Sequence, residues 1–544
     1  MITRRDLLKF GGLAGLGVVG LTGCSTTDPE QTGQLLSSGA DLPEPFTLPL
    51  KLPAVLKPTE RLSDGSDLYR VTSRAAQIEI LPGRRTAILG YEGTFPGPTI
   101  ETRRDQPVAV EHVNDLTVPI VVHLHGGQVP AASDGFPTDV ILPRTDTSTS
   151  GSTTTSTAGS TTTSTAKSTS SSASHGSHSQ SMPDDRADVV TGSRIYRYPT
   201  RQPAATLWYH DHRMDFTGPA VYRGLAGFHL IRDDAEDALD LPRGERELPL
   251  MVADRAFDDD GQLDYPAVDP SMTGEPGVED DYMEGVIGDV ILVNGTPWPL
   301  AEVEAARYRL RWLNASNARR YQLVLDPPPS GGSGFLQIGS DGGLLDAPIG
   351  LDSLTMAPAE RFDVIVDFAR YPVGTKVTVR NQLGRDGTAD VMQFVVARAA
   401  PDDSRAKLVL PKIERLQRSA VTNTRVFKFR RGVVGRRPGW RINDLPFDPM
   451  RPVATVRAGV TELWRIGTDV HHPVHIHLSP FQVASRNGRE PGASDGGWKD
   501  TIDLRPAEYA DLLVRFPDLP GRYVMHCHNL EHEDMAMMAT FEVT

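Results

Sequence analysis

Residues 523–538 read YVMHCHNLEHEDMAMM, and this stretch holds Cys527 with a histidine on each side. Neighbouring side chains of an extended strand point to opposite faces, so the thiol faces one side and the two imidazoles face the other. One strand can therefore contribute ligands to two metal sites. We expect the last strand of the chain here, followed by a ligand-bearing loop with His532 and Met537. A thiolate, imidazoles and a weak thioether form a blue-copper site, which needs one further imidazole from elsewhere.

Three more histidine clusters occur upstream, and with this stretch they account for ten of the 15 histidines. The ten are His123, His125, His210, His212, His472, His475, His477, His526, His528 and His532. Each His-x-His pair puts two imidazoles on one side of a strand, as a multinuclear site requires. A single pair is weak evidence, because core and solvated histidines are common. Four clusters that complement one another in ligand number indicate metal binding.

The segments around these clusters, HLHGG, WYHDH, HPVHIH and HCHNLEHEDMAMM, resemble the four copper-binding signatures of the multicopper oxidases. The likeness is strongest to the three-domain bacterial branch that includes laccase and bilirubin oxidase. It covers roughly residues 45–544 and extends to stretches without ligands. These stretches are Tyr91–Ile100, Gly224–Ile231 and Val293–Pro299.

The resemblance implies four coppers per chain and assigns a ligand to each position of the family pattern. The type 1 copper takes His472, Cys527, His532 and Met537. The type 2 copper takes His123 and His475. The paired type 3 coppers take His125, His210, His212, His477, His526 and His528. No ligand of the pattern is missing or substituted.

Reduction of dioxygen to water consumes protons, and carboxylates near the coppers are natural carriers. Glu533 and Asp134 match acidic residues that the family places near the trinuclear site. Either carboxylate could instead orient a histidine. We expect Asp211 and Glu531 to be structural.

The resemblance implies a laccase-like enzyme that takes single electrons from phenols, aminophenols or linear tetrapyrroles and reduces O₂ to water. A cuprous oxidase for copper tolerance is the alternative within the family. Such enzymes often carry a methionine-rich segment over the type 1 site, and the 13 methionines here form no such cluster outside the ligand loop. The alternative from another class is a non-enzymatic cell-envelope scaffold of the same fold, although such relatives have lost copper ligands.

Composition predicts an all-β protein. Short β-branched runs alternate with turns rich in the 43 prolines and 50 glycines, as in β-sandwiches. Together with the family resemblance, this pattern predicts three cupredoxin-like Greek-key β-sandwich domains. The net charge of −14 disfavours nucleic acid or an anionic membrane surface as a partner. The expected partners are a small-molecule electron donor and O₂, and we expect a monomer.

Domain boundaries follow from motif placement and composition. We expect a signal at 1–24, a tether and N-terminal arm at 25–61, and cupredoxin domains at 62–234, 248–399 and 417–544. The tract 145–182 consists almost entirely of Ser, Thr, Gly and Ala and predicts a disordered insertion in the first domain. The middle domain has no histidine and no cysteine, so we expect it to act as spacer and scaffold. The multinuclear site should lie where the first and last domains meet.

The N-terminus indicates export. Residues 3–9 resemble a twin-arginine motif, an apolar run follows, and residues 21–24 resemble a lipoprotein processing box ending at Cys24. We expect a protein of the cell envelope, lipid-anchored at Cys24 or secreted. With Cys24 in the leader, Cys527 has no disulfide partner in the mature chain. Metal coordination is the simplest use of an unpaired thiol in an exported protein.

Overall fold

The computed structural model describes residues 32–144, 187–401, 408–434 and 437–544. The expected signal, the processing box and the Ser/Thr tract therefore lie outside the described residues. Within them the fold is all-β, with three cupredoxin-like sandwiches, each of two packed sheets. No helix among the described residues has the length and apolar character needed to cross a membrane.

The N-terminal arm connects two domains before the first sandwich begins. Its first strand, β1 (Gln34–Leu36), pairs in parallel with residues 286–288 of the middle domain. Pro49 then bridges to Leu300, and residues 55–56 join a sheet of the first domain. The arm thus adds backbone hydrogen bonds to both domains.

The first domain packs one five-stranded sheet, β11-β7-β4-β3 with β5 on β4, against another, β2-β6-β13-β12-β8. Its strands are β2 (Val55–Leu56), β3 (Glu60–Arg61), β4 (Asp67–Ile78), β5 (Thr86–Tyr91), β6 (Gly97–Arg103), β7 (Val108–Asn114), β8 (Val122–His125), β9 (Ile141–Leu142), β10 (Val190–Thr191), β11 (Ser193–Tyr198), β12 (Ala205–Asp211) and β13 (Ala226–Arg232). The helices α1 (Thr217–Tyr222) and α2 (Asp234–Asp237) flank β13. β8 pairs with β12 so that His123 lies opposite His210.

A parallel bridge closes the two ends of the tract between β9 and β10. Val190 pairs with Ile141 and Thr191 with Leu142. The amide of Asp188 donates to the side chain of Asp139 over 2.9 Å. The described residues that flank this tract therefore lie side by side.

The middle domain has an eight-stranded sheet, β18-β17-β14-β20-β25-β22-β23 with β15 on β14, and a five-stranded sheet, β19-β27-β26-β21-β24. Its strands are β14 (Glu247–Phe257), β15 (Leu263–Asp264), β16 (Val286–Gly288), β17 (Val290–Val293), β18 (Thr296–Pro297), β19 (Leu300–Ala305), β20 (Arg307–Asn314), β21 (Tyr321–Asp326), β22 (Phe335–Ser340), β23 (Gly343–Leu351), β24 (Leu354–Met356), β25 (Arg361–Asp367), β26 (Lys376–Asn381) and β27 (Asp390–Ala399).

Buried ion pairs dock the middle domain on the first. Arg311 donates to Glu236 of α2 over 2.7 Å, to Glu247 over 2.6 Å and to the hydroxyl of Thr206 in β12 over 2.8 Å. Arg311 is 1% exposed, so it must be paired to be tolerated there. The interface is held by oriented polar contacts as well as by apolar packing.

The third domain packs β29-β28-β31-β35-β33 against β30-β37-β36-β32-β34. Its strands are β28 (Asn423–Val434), β29 (Arg437–Ile442), β30 (Ala454–Val456), β31 (Thr461–Thr468), β32 (His472–Ile476), β33 (Phe481–Arg486), β34 (Thr501–Leu504), β35 (Tyr509–Arg515), β36 (Gly521–Cys527) and β37 (Met538–Val543), and its one α-helix is α3 (Leu530–Asp534). β32 and β36 pair so that His475 lies opposite His526 and Val474 opposite Cys527.

The C-terminal stretch differs in detail from the expected last strand and loop. The strand is β36, but residues 530–534 form the helix α3, and β37 then pairs with β36 as the final strand. Asn529 begins the helix, because its side chain accepts a hydrogen bond from the amide of His532 over 3.4 Å. A short capped helix therefore carries His532 and Glu533.

Candidate metal centres

The first centre, which we call the mononuclear site, is a triangle of ligand atoms inside the third domain. Nδ1 of His472 lies 3.4 Å from Sγ of Cys527 and 3.1 Å from Nδ1 of His532, and the thiol lies 3.5 Å from that second nitrogen. All three side chains are fully buried. They come from β32, the end of β36 and α3, so one sandwich supplies the whole triangle.

Neighbouring groups fix the two imidazoles of the mononuclear site. Asp469 holds Nε2 of His472 with its carboxylate 3.1 Å away, which leaves Nδ1 facing the thiol. The indole of Trp440 stacks on His532 with ring centroids 3.7 Å apart. Met537 is fully buried in the same core cluster as Cys527, and its carbonyl accepts from the Cys527 amide over 3.1 Å. The donor set of two imidazoles and one thiol, with a thioether in the same core, suits copper.

The second centre, which we call the histidine chamber, lies between the first and third domains. It contains His123, His125, His210, His212, His475, His477, His526 and His528, all buried. Nε2 of His526 lies 3.2 Å from Nε2 of His212 and 3.3 Å from Nε2 of His477. Three nitrogen lone pairs that face one another at this separation are suited to share a cation.

Two stacked imidazole pairs join the domains across the chamber. His123 stacks on His477 with centroids 3.7 Å apart, and His125 stacks on His475 at 3.6 Å. Ligand atoms within 4.8 Å of one another form several overlapping groups, among them His123 with His475 and His477. These groups mix residues that the family pattern assigns to different coppers, because the stacked pairs bring them into one space.

In three of these imidazoles, a hydrogen bond turns one nitrogen toward the protein and the other nitrogen has no protein partner. The Nδ1–H groups of His123, His210 and His475 donate to the carbonyls of Asp134, Asp211 and Asp500 at 2.5, 2.8 and 2.8 Å. The Nε2 atoms of the same three residues have no hydrogen-bond partner, although they are buried. Buried polar atoms are rarely left unpaired, so this arrangement fits a bound metal.

His125 has the opposite orientation. Its Nε2 lies 3.1 Å from the carboxylate of Asp500 and 3.2 Å from the hydroxyl of Thr501, and its Nδ1 has no partner. Both ring nitrogens of His528 also lack protein partners. The sequence did not indicate Asp500. A charged pair, Lys499-Asp500, directly before an apolar strand was the available signal.

Burial controls protonation in both centres. It lowers the pKa of His210 to about 3 and that of His212 to about 4, so neutral imidazoles, the form that binds metal, prevail at pH 7. Burial also raises the pKa of the Cys527 thiol well above its usual range. A metal that takes the thiolate must therefore displace a proton.

The two predicted acidic residues both touch the histidine chamber. Oδ2 of Asp134 lies 2.7 Å from Nδ1 of His477, while its Oδ1 has no hydrogen-bond partner. Oε2 of Glu533 lies 2.9 Å from Nδ1 of His526, and its Oε1 lies 3.7 Å from Nδ1 of His212. Although burial opposes ionisation of Glu533, these two imidazoles lower its pKa to about 2.

The carboxylates of Glu531 and Asp211, and three further histidines, lie outside both centres. Glu531 accepts from Tyr265, Asn317 and the amide of Val286, which are all in the middle domain or the loops before it. Asp211 accepts from the amides of Val121 and Arg213. His112, His229 and His471 are buried but belong to none of the close ligand groups.

The sequence and the fold of the chain are similar to those of known multicopper oxidases. Two family models, both for multicopper oxidases, match residues 72–163 with 185–236 and residues 414–544. The laccase of Bacillus subtilis is 34% identical over 92% of this chain and 99% of its own length. The bilirubin oxidase of Albifimbria verrucaria is 33% identical over 92% of this chain and 81% of its own length. The crystal structure of a multi-copper oxidase from Pediococcus acidilactici superposes with a TM-score of 0.74 at 30% identity, covering 94% of this chain and 93% of that one.

Proposed function

The chain belongs to the multicopper oxidase family, and we propose that it is a laccase-like member that takes single electrons from small aromatic donors. It is a copper-dependent oxidoreductase that uses O₂ as the acceptor. The observation that supports the proposal most directly is the pair of adjacent centres. Cys527 belongs to the mononuclear site, and the residues on either side of it belong to the histidine chamber.

We assign the four coppers to these centres by the family pattern. The mononuclear site would hold the type 1 copper, with Met537 as a further ligand. In the histidine chamber, His123 and His475 take the type 2 copper and the other six histidines take the type 3 pair. When bound, copper supplies one-electron chemistry at the mononuclear site and the four-electron reduction of O₂ to water in the chamber.

The chain's own contribution begins with the link between the centres. Cys527 and its two flanking histidines are consecutive residues, and two residues of extended chain span about 7 Å. Glu533 lies beside two imidazoles of the chamber and connects it to α3, so we propose that it carries protons toward dioxygen. Asp134 holds His477 by its carboxylate and His123 by its carbonyl, which favours an orienting role.

A cavity beside the mononuclear site is the proposed donor site. It measures about 630 Å³ and lies between residues 280–284 of the middle domain and residues 431–432 and 438–440 of the third. Volumes of this order suit drug-sized ligands. Trp440 lines the cavity and stacks on His532. An aromatic donor on the cavity side of Trp440 would thus be separated from His532, a ligand of the mononuclear site, by the indole ring of Trp440.

The charge of this cavity favours some donors over others. Asp280 and Asp281 are exposed and make no ion pair with the described residues, whereas Glu284 pairs with Arg431. Among the lining residues that the structure describes, this leaves an excess of negative charge, which attracts cations and repels anions. We therefore propose phenols and aminophenols as donors in preference to bilirubin, which carries two carboxylates.

Oxygen uptake by the copper-loaded protein tests this proposal. We expect rapid uptake with a phenol and with a cationic aromatic amine, and slower uptake with bilirubin. Replacing both acids (Asp280→Asn with Asp281→Asn) should lower kcat/KM for the cationic amine about 5- to 10-fold and leave the neutral phenol unchanged. Glu279→Gln is the matched control, since Glu279 is an exposed neighbour outside the cavity lining. An equal loss for both donors would contradict the charge preference.

A cuprous oxidase is the second candidate, and one feature of the cavity favours it. Met283 lines the cavity next to the same carboxylates, and a thioether is a ligand for Cu(I). Rapid oxygen uptake with Cu(I) and none with the aromatic donors would establish this role. A non-enzymatic scaffold would show no uptake with any donor.

For the N-terminus we propose twin-arginine export and lipidation at Cys24. Support comes from the sequence of residues 3–24. Mass spectrometry of the protein from membranes should find a lipidated Cys24 as the first residue. An unmodified chain that begins downstream of Cys24 would indicate a secreted protein instead.

A further inference from the structure

A buried arginine of the middle domain, Arg361, lies at the point where all three domains meet. We propose that Arg361 is a positioning residue for the trinuclear cluster. By fixing the carboxylate of Asp500, it sets which nitrogen of His125 faces the metal. The inference rests on the proposed copper function and gives the middle domain a role beyond that of a spacer.

All five N–H groups of the Arg361 guanidinium have acceptors. Nη1 donates to Oδ1 of Asp500 over 2.7 Å, and Nη2 donates to Oδ2 of the same residue. The other bonds go to the carbonyls of Thr206 in the first domain, and of Ala359 and Asp341 in the middle domain, over 2.9, 2.9 and 3.1 Å. Arg361 is fully buried. A bidentate ion pair in which every guanidinium N–H has an acceptor holds the carboxylate in a single orientation.

Asp500 transmits this orientation to two imidazoles. Its Oδ1 lies 3.1 Å from Nε2 of His125, and its carbonyl accepts from Nδ1–H of His475 over 2.8 Å. The hydroxyl of Thr501 also donates to Oδ1 over 3.0 Å. With Nε2 of His125 held in this way, Nδ1 is the nitrogen left for the metal. In His123, His210 and His475 the nitrogen left free is Nε2.

The residue after His125 is a glycine, and its lack of a side chain leaves space for the same ion pair. Gly126 has a φ of +86°, and a Cβ there would lie 2.8 Å from Nη2 of Arg361 and 2.8 Å from Oδ2 of Asp500. A side chain at this position would push the two groups apart. The first domain therefore leaves room for a contact made by the other two.

The molecule contains a matched pair that serves as a control. Arg320 of the middle domain donates through Nε to Oδ2 of Asp503 over 3.0 Å, and also through Nη2. Both residues are buried, and Asp503 lies three residues after Asp500. Within the described part of the chain, no hydrogen bond joins the Asp503 carboxylate to any of the ten predicted histidine ligands. Loss of this pair removes the same interdomain chemistry without touching the chamber.

The test compares Arg361→Gln with Arg320→Gln in the copper-loaded full chain. The readouts are copper per chain, the blue absorbance of the mononuclear site and the electron paramagnetic resonance signal of the type 2 copper. For Arg361→Gln we expect an intact blue absorbance, a changed type 2 signal and copper affinity in the chamber lowered about 10- to 100-fold. Arg320→Gln should keep four coppers and the wild-type signal. Identical signals and copper contents in both variants would overturn the inference.

A milder variant covers the case in which Arg361→Gln does not fold. Arg361→Lys keeps the positive charge but replaces the planar guanidinium, which donates two parallel hydrogen bonds to Asp500, with a single ammonium group. We expect a folded protein with a blue site and an altered type 2 signal, and a wild-type signal would count against the positioning role. Wild-type protein distinguishes the two proposals. If it binds no copper or takes up no oxygen, the proposed function fails. If it does both while the Arg361 variants match it, the positioning role alone fails.

Discussion

The mononuclear site and the histidine chamber are assembled in different ways. The ligands of the mononuclear site lie on β32, β36 and α3 and directly before β37, so one sandwich supplies them all. The chamber takes four histidines from the first domain and four from the third, and Arg361 of the middle domain supports it from outside. The first site can form when one domain folds. The second also requires that three domains dock in the correct geometry.

This difference separates two kinds of vulnerability. Damage to the third domain's core should affect the mononuclear site, while damage to an interface should affect the chamber first. Breaking a buried ion pair typically costs about 3–5 kcal/mol, so both Arg361→Gln and Arg320→Gln should lower the free energy of unfolding. Their effects on copper binding should nevertheless differ, because, of the two pairs, only the Arg361 pair has a hydrogen bond to a predicted histidine ligand within the described residues.

The largest expected effect comes from Cys527→Ser, which removes the mononuclear site and the link to the chamber together. Donor oxidation should fall to background and the blue colour should disappear, because a hydroxyl does not replace the soft thiolate. The chamber should still bind three coppers. Copper analysis counts the coppers that the variant retains, and circular dichroism checks that the variant is folded. Retained donor oxidation would refute the assignment of Cys527.

Glu533→Gln should act on the chamber alone. General acid–base groups contribute about 100-fold or more to rate, so reoxidation of the reduced enzyme by O₂ should slow by about that factor. Anaerobic bleaching of the blue site by a donor should keep its wild-type rate, as stopped-flow absorbance would show.

Glu531→Gln is the control for this prediction. Glu531 lies on the same short helix and is equally buried, but its partners are Tyr265, Asn317 and the Val286 amide. Its replacement should lower thermal stability and leave reoxidation unchanged. If both variants slowed reoxidation equally, the effect would belong to the helix rather than to a proton carrier.

The smallest effect concerns imidazoles that belong to neither centre. Burial lowers the pKa of His229 to about 3, while an unfolded histidine titrates near 6.5. The unfolded chain therefore binds more protons between these values, and stability is lost as the pH falls below 6.5. Between pH 7 and pH 5 the loss is about 2 kcal/mol for this residue.

His229→Phe should remove that part of the acid sensitivity. Denaturant unfolding of the variant and the wild type at pH 7 and pH 5 gives the comparison. The variant also loses the contact with the Thr102 hydroxyl at 3.0 Å, which should lower stability equally at both values. An unchanged difference between the two pH values would show that His229 is not the titrating group.

Sequence was sufficient for features that depend on local pattern. The all-β fold followed from short strands and turns, and the turn between β17 and β18 has the Asn-Gly pair that is typical of tight hairpins, Asn294-Gly295. The alternation of strand side chains explains why Cys527 and its neighbours face different centres. The family pattern supplied the ligand list, and the structure brings those histidines together.

Features that depend on domain docking were not visible in sequence. Arg361 and Asp500 are 139 residues apart in the chain, and neither belongs to a metal-binding motif. Trp440 stacks on His532 only because β29 returns beside α3. The helix α3 was also missed, since five residues with one cap give too little periodicity to predict.

The parallel pairing of β9 with β10 has a consequence for insertions and deletions in the chain between these two strands. The two strands that flank the intervening tract meet at one parallel bridge, and Ile141 of β9 also bridges to Ile120, two residues before the strand β8 that carries His123. Doubling the length of a loop closed in this way raises its closure entropy by only about 0.6 kcal/mol. We therefore expect residues gained or lost between β9 and β10 to change the stability of the fold only slightly. The first domain thus fixes its site of sequence expansion by backbone pairing, and an added peptide that leaves this pairing intact should leave the fold of the domain intact as well.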